Sequence, residues 1–93
     1  MKLGTVTQQP AERLSYTINY GEFLTDGDNI ETAVVSAVDP AGLVVDTVGV
    51  FDPRVRFWVS GGVAGVKYKV TIDVDTADGR ELQDEIIVKI KEY

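Results

Sequence analysis

Tyr68-Lys-Val-Thr-Ile-Asp-Val-Asp75 is followed by Thr76-Ala-Asp-Gly-Arg80 and then by a second apolar run that extends from Leu82 to Lys91. In the first stretch apolar residues fall on even positions and polar residues on odd positions, which is the period of a strand with one buried face. The second run repeats the pattern with these residues inward: Leu82, Ile86, Val88 and Ile90. Asp78-Gly79 between the two runs is a turn sequence. The last third of the chain is therefore predicted to form a long β-hairpin, which makes the fold all-β.

Four segments upstream of the hairpin also carry strand signals: Arg13 to Tyr20, Ile30 to Val38, Leu43 to Phe51 and Arg54 to Ser60. Turn residues separate them, among them Asp39-Pro40-Ala41-Gly42 and Asp52-Pro53. Ile30 to Val38 is rich in β-branched residues without strict alternation, as expected when both faces are covered or when a bulge shifts the register, and we predict a central strand. No segment has a helical period of useful length, although a single helical turn fits between Gly21 and Asn29. The sequence predicts an immunoglobulin-like antiparallel β-sandwich of about six to seven strands.

The chain has 93 residues and divides into two parts. Residues 1–12 have scattered polarity and are predicted to form either an N-terminal arm or an edge strand that Pro10 ends. Residues 13–93 are predicted to form the immunoglobulin-like domain. A domain of this size buries only about 60 to 65% of the surface that its unfolded chain exposes, so its stability depends on a small core.

The composition argues against several classes of function. The chain has no cysteine and no histidine, so it has no disulfide, no zinc site based on these residues and no His-dependent triad. Nine basic and fifteen acidic residues give a net charge of −6, which repels phosphate backbones and argues against a nucleic-acid partner. No apolar run is long enough to cross a membrane, and the first residues lack the apolar stretch of a signal peptide. We expect a protein that is not an enzyme and that uses no cofactor.

Carboxylates in the hairpin offer oxygen ligands of the kind that Ca²⁺ prefers. Asp73 and Asp75 share one face of a strand, and Asp78 and Asp84 lie nearby in sequence. These carboxylates are expected to be solvated and neutralised across strands by lysines: Lys67, Lys69 and Lys89. Asp26-Gly27-Asp28-Asn29 resembles part of a calcium loop but lacks the distant glutamate and the spacing of an EF-hand, so turn chemistry is the better interpretation. No metal site is predicted.

Trp58 is the only tryptophan, and the strand that carries it allows two interpretations. If Phe57 faces the core, strict alternation turns its neighbours to the opposite face: Arg54, Arg56 and Trp58. Tryptophan and arginine are enriched at protein-binding hot spots, so these three residues form the candidate protein-binding site. In the alternative interpretation the strand is covered on both sides, or contains a bulge, and Trp58 lies in the core.

Tyr68 opens the first strand of the hairpin just after the glycine-rich stretch 61–65. Immunoglobulin-like domains often have a tyrosine near such a point, with its hydroxyl bonded back to the preceding turn. We therefore predict a structural role for Tyr68, with its ring in the core and its hydroxyl bonded to the loop.

Five short motifs extend over almost the whole chain: Gln9-Pro10-Ala-Glu-Arg-Leu-Ser-Tyr16, Phe23-Leu-Thr-Asp-Gly-Asp28, Val55-Arg-Phe-Trp-Val-Ser-Gly-Gly62, Tyr68-Lys-Val-Thr71 and Thr76-Ala-Asp-Gly-Arg80. Together they resemble the small immunoglobulin-like virion structural proteins of tailed bacteriophages and prophages, and most nearly the phage fiber-tail adaptor type. The resemblance implies a structural protein of the tail or neck of a virion, made in the cytoplasm of the host bacterium. It implies no catalytic residue and no cofactor. The partners that it implies are other phage structural proteins, and further copies of the chain in a homo-oligomer.

Two hypotheses for the function remain open at this point. In the first, the protein is an adaptor that bridges tail, neck or fibre components through a sheet edge, the N-terminal arm and the face around Trp58. In the second, it is a carbohydrate-binding or cell-surface adhesion module in which Trp58 stacks on a sugar ring. The two differ in the chemistry of the partner that Trp58 contacts.

Overall fold

The protein is described by a computed structural model that covers residues 2–24 and 27–92. A short 3₁₀ turn occupies Gly21–Phe23, and the strands are β1 (Lys2–Gln8), β2 (Arg13–Asn19), β3 (Ile30–Asp39), β4 (Leu43–Phe51), β5 (Arg54–Gly61), β6 (Lys67–Thr76) and β7 (Glu81–Ile90). They form two sheets, one with the order β1-β7-β6-β3 and the other with the order β2-β5-β4. The predicted all-β immunoglobulin-like sandwich is confirmed, including the hairpin of β6 and β7.

Two strands pair differently from the prediction. β1 lies parallel to β7, so one ladder of the otherwise antiparallel sandwich is parallel. The central position predicted for β3 is wrong, because β3 pairs only with β6 and forms the edge of its sheet. Its irregular sequence pattern comes instead from two register shifts, between Ile30 and Thr32 and between Val35 and Ala37. Each shift changes the face to which the following side chains point.

The core lies between the two sheets and comes mainly from β5, β6 and β7. The apolar side chains on the inner faces of these strands are buried: Val55, Phe57, Val59, Tyr68, Val70, Ile72, Val74, Ile86, Val88 and Ile90. Truncation of such side chains costs about 2 to 5 kcal/mol each, so the packing of these three strands dominates the stability of the domain.

Asp84 is an exception to the apolar pattern of β7. It lies between Leu82 and Ile86 on the inner face and is only 3% exposed, so the expectation that it is solvated is wrong. The two-residue period of the strand points it toward the core. Burial, followed by contact with the Asp84 carboxylate, raises the pKa of the Tyr20 hydroxyl above its ordinary value. That hydroxyl has no partner of regular hydrogen-bond geometry within the described residues, so the contact between Tyr20 and Asp84 is a loose one.

The structural role predicted for Tyr68 is observed. Its ring is 1% exposed, and its hydroxyl accepts a hydrogen bond of 2.9 Å from the backbone N–H of Val63. Gly42 lies against the same ring, because a Cβ at Gly42 would be 3.4 Å from the Tyr68 hydroxyl oxygen. Tyr68 thus ties the loop before β6 to the turn between β3 and β4.

The side chain of Gln8 joins the two sheets. Of the two interpretations for the first residues, the structure has an edge strand, and Gln8 lies at its buried end. The Gln8 amide nitrogen donates to the carbonyl oxygens of Glu12 and Val59, each at 2.9 Å. The amide oxygen accepts from the hydroxyl of Tyr16 at 2.8 Å. Val59 and Tyr16 belong to the three-stranded sheet, so one residue of β1 fastens the four-stranded sheet to it.

Asp28 holds the loop before β3 against the turn of the β6–β7 hairpin. Its Oδ1 accepts hydrogen bonds from the N–H groups of Asn29, at 2.9 Å, and Asp78, at 3.0 Å, and its Oδ2 lies 3.3 Å from Nη1 of Arg80. Burial alone would disfavour the charged carboxylate, but these contacts outweigh it and lower the pKa of Asp28. Asp28 therefore acts in turn chemistry, as predicted, whereas Asp26 of the same predicted turn lies outside the described residues.

We expect Asp28→Asn to remove a part of the stability that depends on pH. Because folding lowers this pKa, the ionised carboxylate stabilises the fold above the ordinary value of 3.8, and this contribution is lost as the pH falls through the folded-state pKa. Urea midpoints at neutral pH should therefore be lower for the variant, and the difference should shrink as the pH falls below 3.8. Asp78→Asn, an exposed carboxylate in the same turn, is the control. A difference that stays constant between neutral and acidic pH would contradict the prediction.

Candidate protein-binding face

The outer face of the three-stranded sheet is the candidate functional site. β5 is its central strand, between β2 and β4. Phe57 and its neighbours at two-residue spacing, Val55 and Val59, are fully buried. Alternation therefore turns the three predicted residues outward: Arg54, Arg56 and Trp58. Trp58 is half-buried on this outer face and does not lie in the core, which decides between its two interpretations. That this face binds protein stays a prediction.

Trp58 is covered by Arg13 of β2, and Arg13 is in turn held by an ion pair with Asp46 of β4. The guanidinium carbon of Arg13, on β2, lies 4.5 Å from the centroid of the Trp58 ring. Nη2 of Arg13 also lies 2.9 Å from Oδ1 of Asp46 on β4, which is directly opposite Trp58 in the ladder. Arg13 thus reaches across β5 above the indole. The stacking contact and the ion pair together fix the orientation of the ring and of the guanidinium.

A second pair of a guanidinium and an aromatic ring lies beside the first. The guanidinium carbon of Arg56 is 4.8 Å from the centroid of the Phe51 ring, which is 55% exposed. Gly49 lies opposite Arg56 in the ladder and leaves room for this ring, because a Cβ at Gly49 would be 2.9 Å from Cε2 of Phe51. Arg54 lies opposite Phe51. In the part of the chain that the structure describes, neither Arg54 nor Arg56 forms an ion pair.

Sequence reasoning found three residues of this face and missed their partners: Arg13, Asp46 and Phe51. These partners come from β2 and β4 and reach Trp58 and Arg56 only through the registers of the two ladders. The period of two predicts which face a side chain is on. It carries no information about which strand lies next to β5, so no sequence signal of this kind could have assembled the set.

We expect Trp58 in the folded protein to be accessible to acrylamide, because its ring lies on an outer face. Arg13→Ala should increase the quenching constant of its fluorescence by roughly a factor of two, since the guanidinium covers one face of the ring. Arg54→Ala is the matched control, because Arg54 lies on the same face without a stacking contact to the indole. Quenching close to zero in the native protein, as for a core tryptophan, would refute this assignment.

The carboxylates on the other sheet take part in hydrogen bonds between its strands. Asp73 accepts a hydrogen bond of 3.0 Å from Nε2 of Gln83, and Asp75 accepts one of 3.2 Å from Oγ1 of Thr32. The lysines that were expected to neutralise Asp73 and Asp75 form no ion pair with them among the described residues. Nζ of Lys69 lies 4.0 Å from Oε1 of Glu85, and Lys67 lies opposite Lys89 in the β6–β7 ladder. Among the described residues no group of acidic side chains is arranged to hold a metal ion. Nor does any helix in residues 2–24 and 27–92 have the length and apolar character to cross a membrane.

Comparison with known proteins identifies the family. None of the curated proteins matches the chain. The sequence model of the family described as podophage GP4 fiber-tail adaptor protein gp77 matches residues 8–89. The matched region begins at the last residue of β1 and ends just before the last residue of β7, so it includes five complete strands, β2 to β6, which come from both sheets. Because the match covers most of the chain, the protein belongs to the Gp77 family of podophage GP4 fiber-tail adaptor proteins.

Proposed function

We propose that this protein is a non-catalytic structural adaptor that bridges tail, neck or fibre components of a phage virion, with the outer face of the three-stranded sheet as its binding surface. Membership of a fiber-tail adaptor family implies a component of the virion tail that contacts other tail or fibre proteins. The proposal adds that the protein is made in the host cytoplasm, that it uses no cofactor, and that neither nucleic acid nor membrane is a partner.

The observation that carries this proposal is the pair of stacked arginines on the outer face. Tryptophan and arginine are enriched among the residues that dominate binding energy. The contacts of Arg13 with Trp58 and of Arg56 with Phe51 hold long side chains in fixed positions before a partner arrives. A side chain that is already ordered loses less conformational entropy on binding, which otherwise costs about 0.5 to 1.5 kcal/mol for each immobilised side chain.

The same geometry favours a protein partner over a sugar. A sugar ring would stack on a face of the Trp58 indole, and the guanidinium of Arg13 already covers one of these faces at 4.5 Å. Displacing Arg13 would also break its ion pair with Asp46. A nucleic-acid partner is disfavoured by the net charge of −6, because a phosphate backbone is repelled by the remainder of the chain.

Binding to the purified tail and fibre proteins of the same phage tests the proposal. The native protein should bind at least one of them, and Trp58→Ala or Arg56→Ala should weaken this binding by about 30-fold or more, the loss typical of a hot-spot residue. Lys89→Ala, on the outer face of the other sheet, is the control and should leave the affinity unchanged. If no tail or fibre protein binds, or if the face variants bind as well as Lys89→Ala, the proposal is wrong.

A further inference from the structure

On the outer face of the three-stranded sheet, two arginines form no ion pair with any carboxylate in residues 2–24 and 27–92. Arg54 and Arg56 are two residues apart on β5, so their side chains leave the same face about 7 Å apart. Phe51 presents an exposed ring beside them on the edge strand β4, and this ring leans over Gly49. The stacking contact with Phe51 orients the Arg56 guanidinium and leaves the edge of its planar group to donate hydrogen bonds. We call Phe51, Arg54 and Arg56 the arginine face.

The outer face of the four-stranded sheet carries the opposite charges in the same arrangement. Asp73 and Asp75 are two residues apart on β6, which is an inner strand of that sheet. Val34 lies opposite Asp73 on the edge strand β3 and is 56% exposed. Glu81 lies opposite Asp75 on β7 and adds a third negative charge. These four residues line a groove of about 530 Å³, which we call the acidic groove. Among the described residues no lysine or arginine forms an ion pair with its carboxylates.

The two surfaces lie at the same end of the sandwich. The N–H of Ile30 donates to Oδ1 of Asp52 at 2.8 Å, and Ile30 pairs with Thr76 in the β3–β6 ladder. The start of β5 and the end of β6 are therefore close together at this end. β5 begins at this end of the sandwich and β6 finishes there. Arg54 and Asp75 therefore lie nearest this end, and Arg56 and Asp73 each lie two residues further from it.

These positions make the arginine face complementary to the acidic groove of a second copy in nearly the same orientation. Stacking the two copies along the normal to the sheets brings Arg54 against Asp75 and Arg56 against Asp73, with equal spacing in both pairs. β3 and β4 are neighbours across the sandwich, so Val34 of the second copy then lies over Gly49, against the Phe51 ring. The same arrangement of the two copies therefore pairs the opposite charges, matches their spacing and places the exposed valine against the exposed phenylalanine.

We propose that the arginine face of one copy of this protein binds the acidic groove of a second copy. The inference rests on the proposed protein-binding role of the outer face and names its partner. The contact is heterologous, because it joins two different surfaces, so every added copy leaves one surface of each kind free and the assembly extends.

Sedimentation velocity of the purified protein alone tests this inference. The average mass of the native protein should rise beyond that of a dimer with concentration at about 0.05 M NaCl and fall toward the monomer at about 0.5 M NaCl, since ion pairs are screened. Two double variants each remove one surface: Arg54→Gln with Arg56→Gln, and Asp73→Asn with Asp75→Asn. Each should weaken the association about tenfold or more. An equimolar mixture of the two double variants should form dimers and nothing larger. The arginine variant keeps only its acidic groove and the aspartate variant keeps only its arginine face, so each molecule can bind one partner.

Lys67→Gln with Lys89→Gln is the matched control, because it also removes two positive charges from exposed strand positions and should assemble like the native protein. A native protein that stays monomeric at low salt, or double variants that assemble as it does, would overturn the inference. A mixture that contains no dimers would overturn it as well. If the native protein is monomeric and the purified tail proteins still depend on Arg56 for binding, the outer face has another partner, and the proposed function stands without this inference.

Discussion

Tyr68→Ala should lower the free energy of unfolding by about 3 to 5 kcal/mol, the cost of truncating a buried aromatic side chain. The ring is almost fully buried and packs beside Gly42, so its loss leaves a cavity that the sheet cannot close. A small domain has a total stability on the order of 5 to 15 kcal/mol. The variant should therefore lose a large part of its stability and unfold at a markedly lower urea concentration than the native protein.

Tyr68→Phe separates the packing of the ring from the hydrogen bond of its hydroxyl. It keeps the ring and removes only the acceptor for the N–H of Val63, so it should cost about 1 kcal/mol. Urea unfolding followed by far-ultraviolet circular dichroism measures both variants. Equal losses for Phe and Ala would mean that the hydrogen bond, and not the ring, carries the effect.

Gln8→Met should cost about 2 to 4 kcal/mol, although methionine has a similar volume. The substitution removes three hydrogen bonds, of which the one to Val59 is buried and the other two are partly buried, and it leaves the carbonyl oxygen of Val59 and the hydroxyl of Tyr16 without this partner. Each buried polar group left in this state costs about 1 to 3 kcal/mol. Because Gln8 fastens β1 to the three-stranded sheet, its loss should also increase hydrogen exchange in β1 more than in β6.

A double-variant cycle with Tyr16→Phe tests the origin of this cost. In the Tyr16→Phe background no hydroxyl is left unpaired, so Gln8→Met should cost about 1 kcal/mol less than in the native background. The measurement is the urea midpoint of the native protein, the two single variants and the double variant. Strictly additive losses would show that the bond between Gln8 and Tyr16 contributes nothing to the cost.

Most of the fold follows from local signals. The alternation from Tyr68 to Asp75 predicts both the hairpin and its buried face, and the turn residues predict where β4 ends and β5 begins. The irregular pattern of Ile30 to Val38 has two physical causes, cover on both faces or a bulge, and the sequence does not separate them. Register shifts on an edge strand are the actual cause.

In the candidate site, too, some features follow from local sequence signals and others depend on strand pairing. Outward positions for Arg54, Arg56 and Trp58 follow from one buried neighbour, Phe57. The stacking of Arg13 on Trp58 depends on the pairing of β2 with β5, and strand pairing is a contact between residues far apart in sequence. Asp84 shows that residue type alone does not predict burial. It is acidic, but its position in the two-residue period of β7 turns it toward the core, where it is buried.

The sequence by itself determined the all-β class, the hairpin from β6 to β7 and the structural role of Tyr68. All three depend on the two-residue period and on turn residues, which act over a few neighbours. Only the tertiary structure decided that Trp58 lies on an outer face, that β3 is an edge, that Gln8 joins the sheets and that arginines and aspartates lie at one end on opposite faces. These features depend on which strands pair and in which register, and pairing is selected by the packing of the whole core.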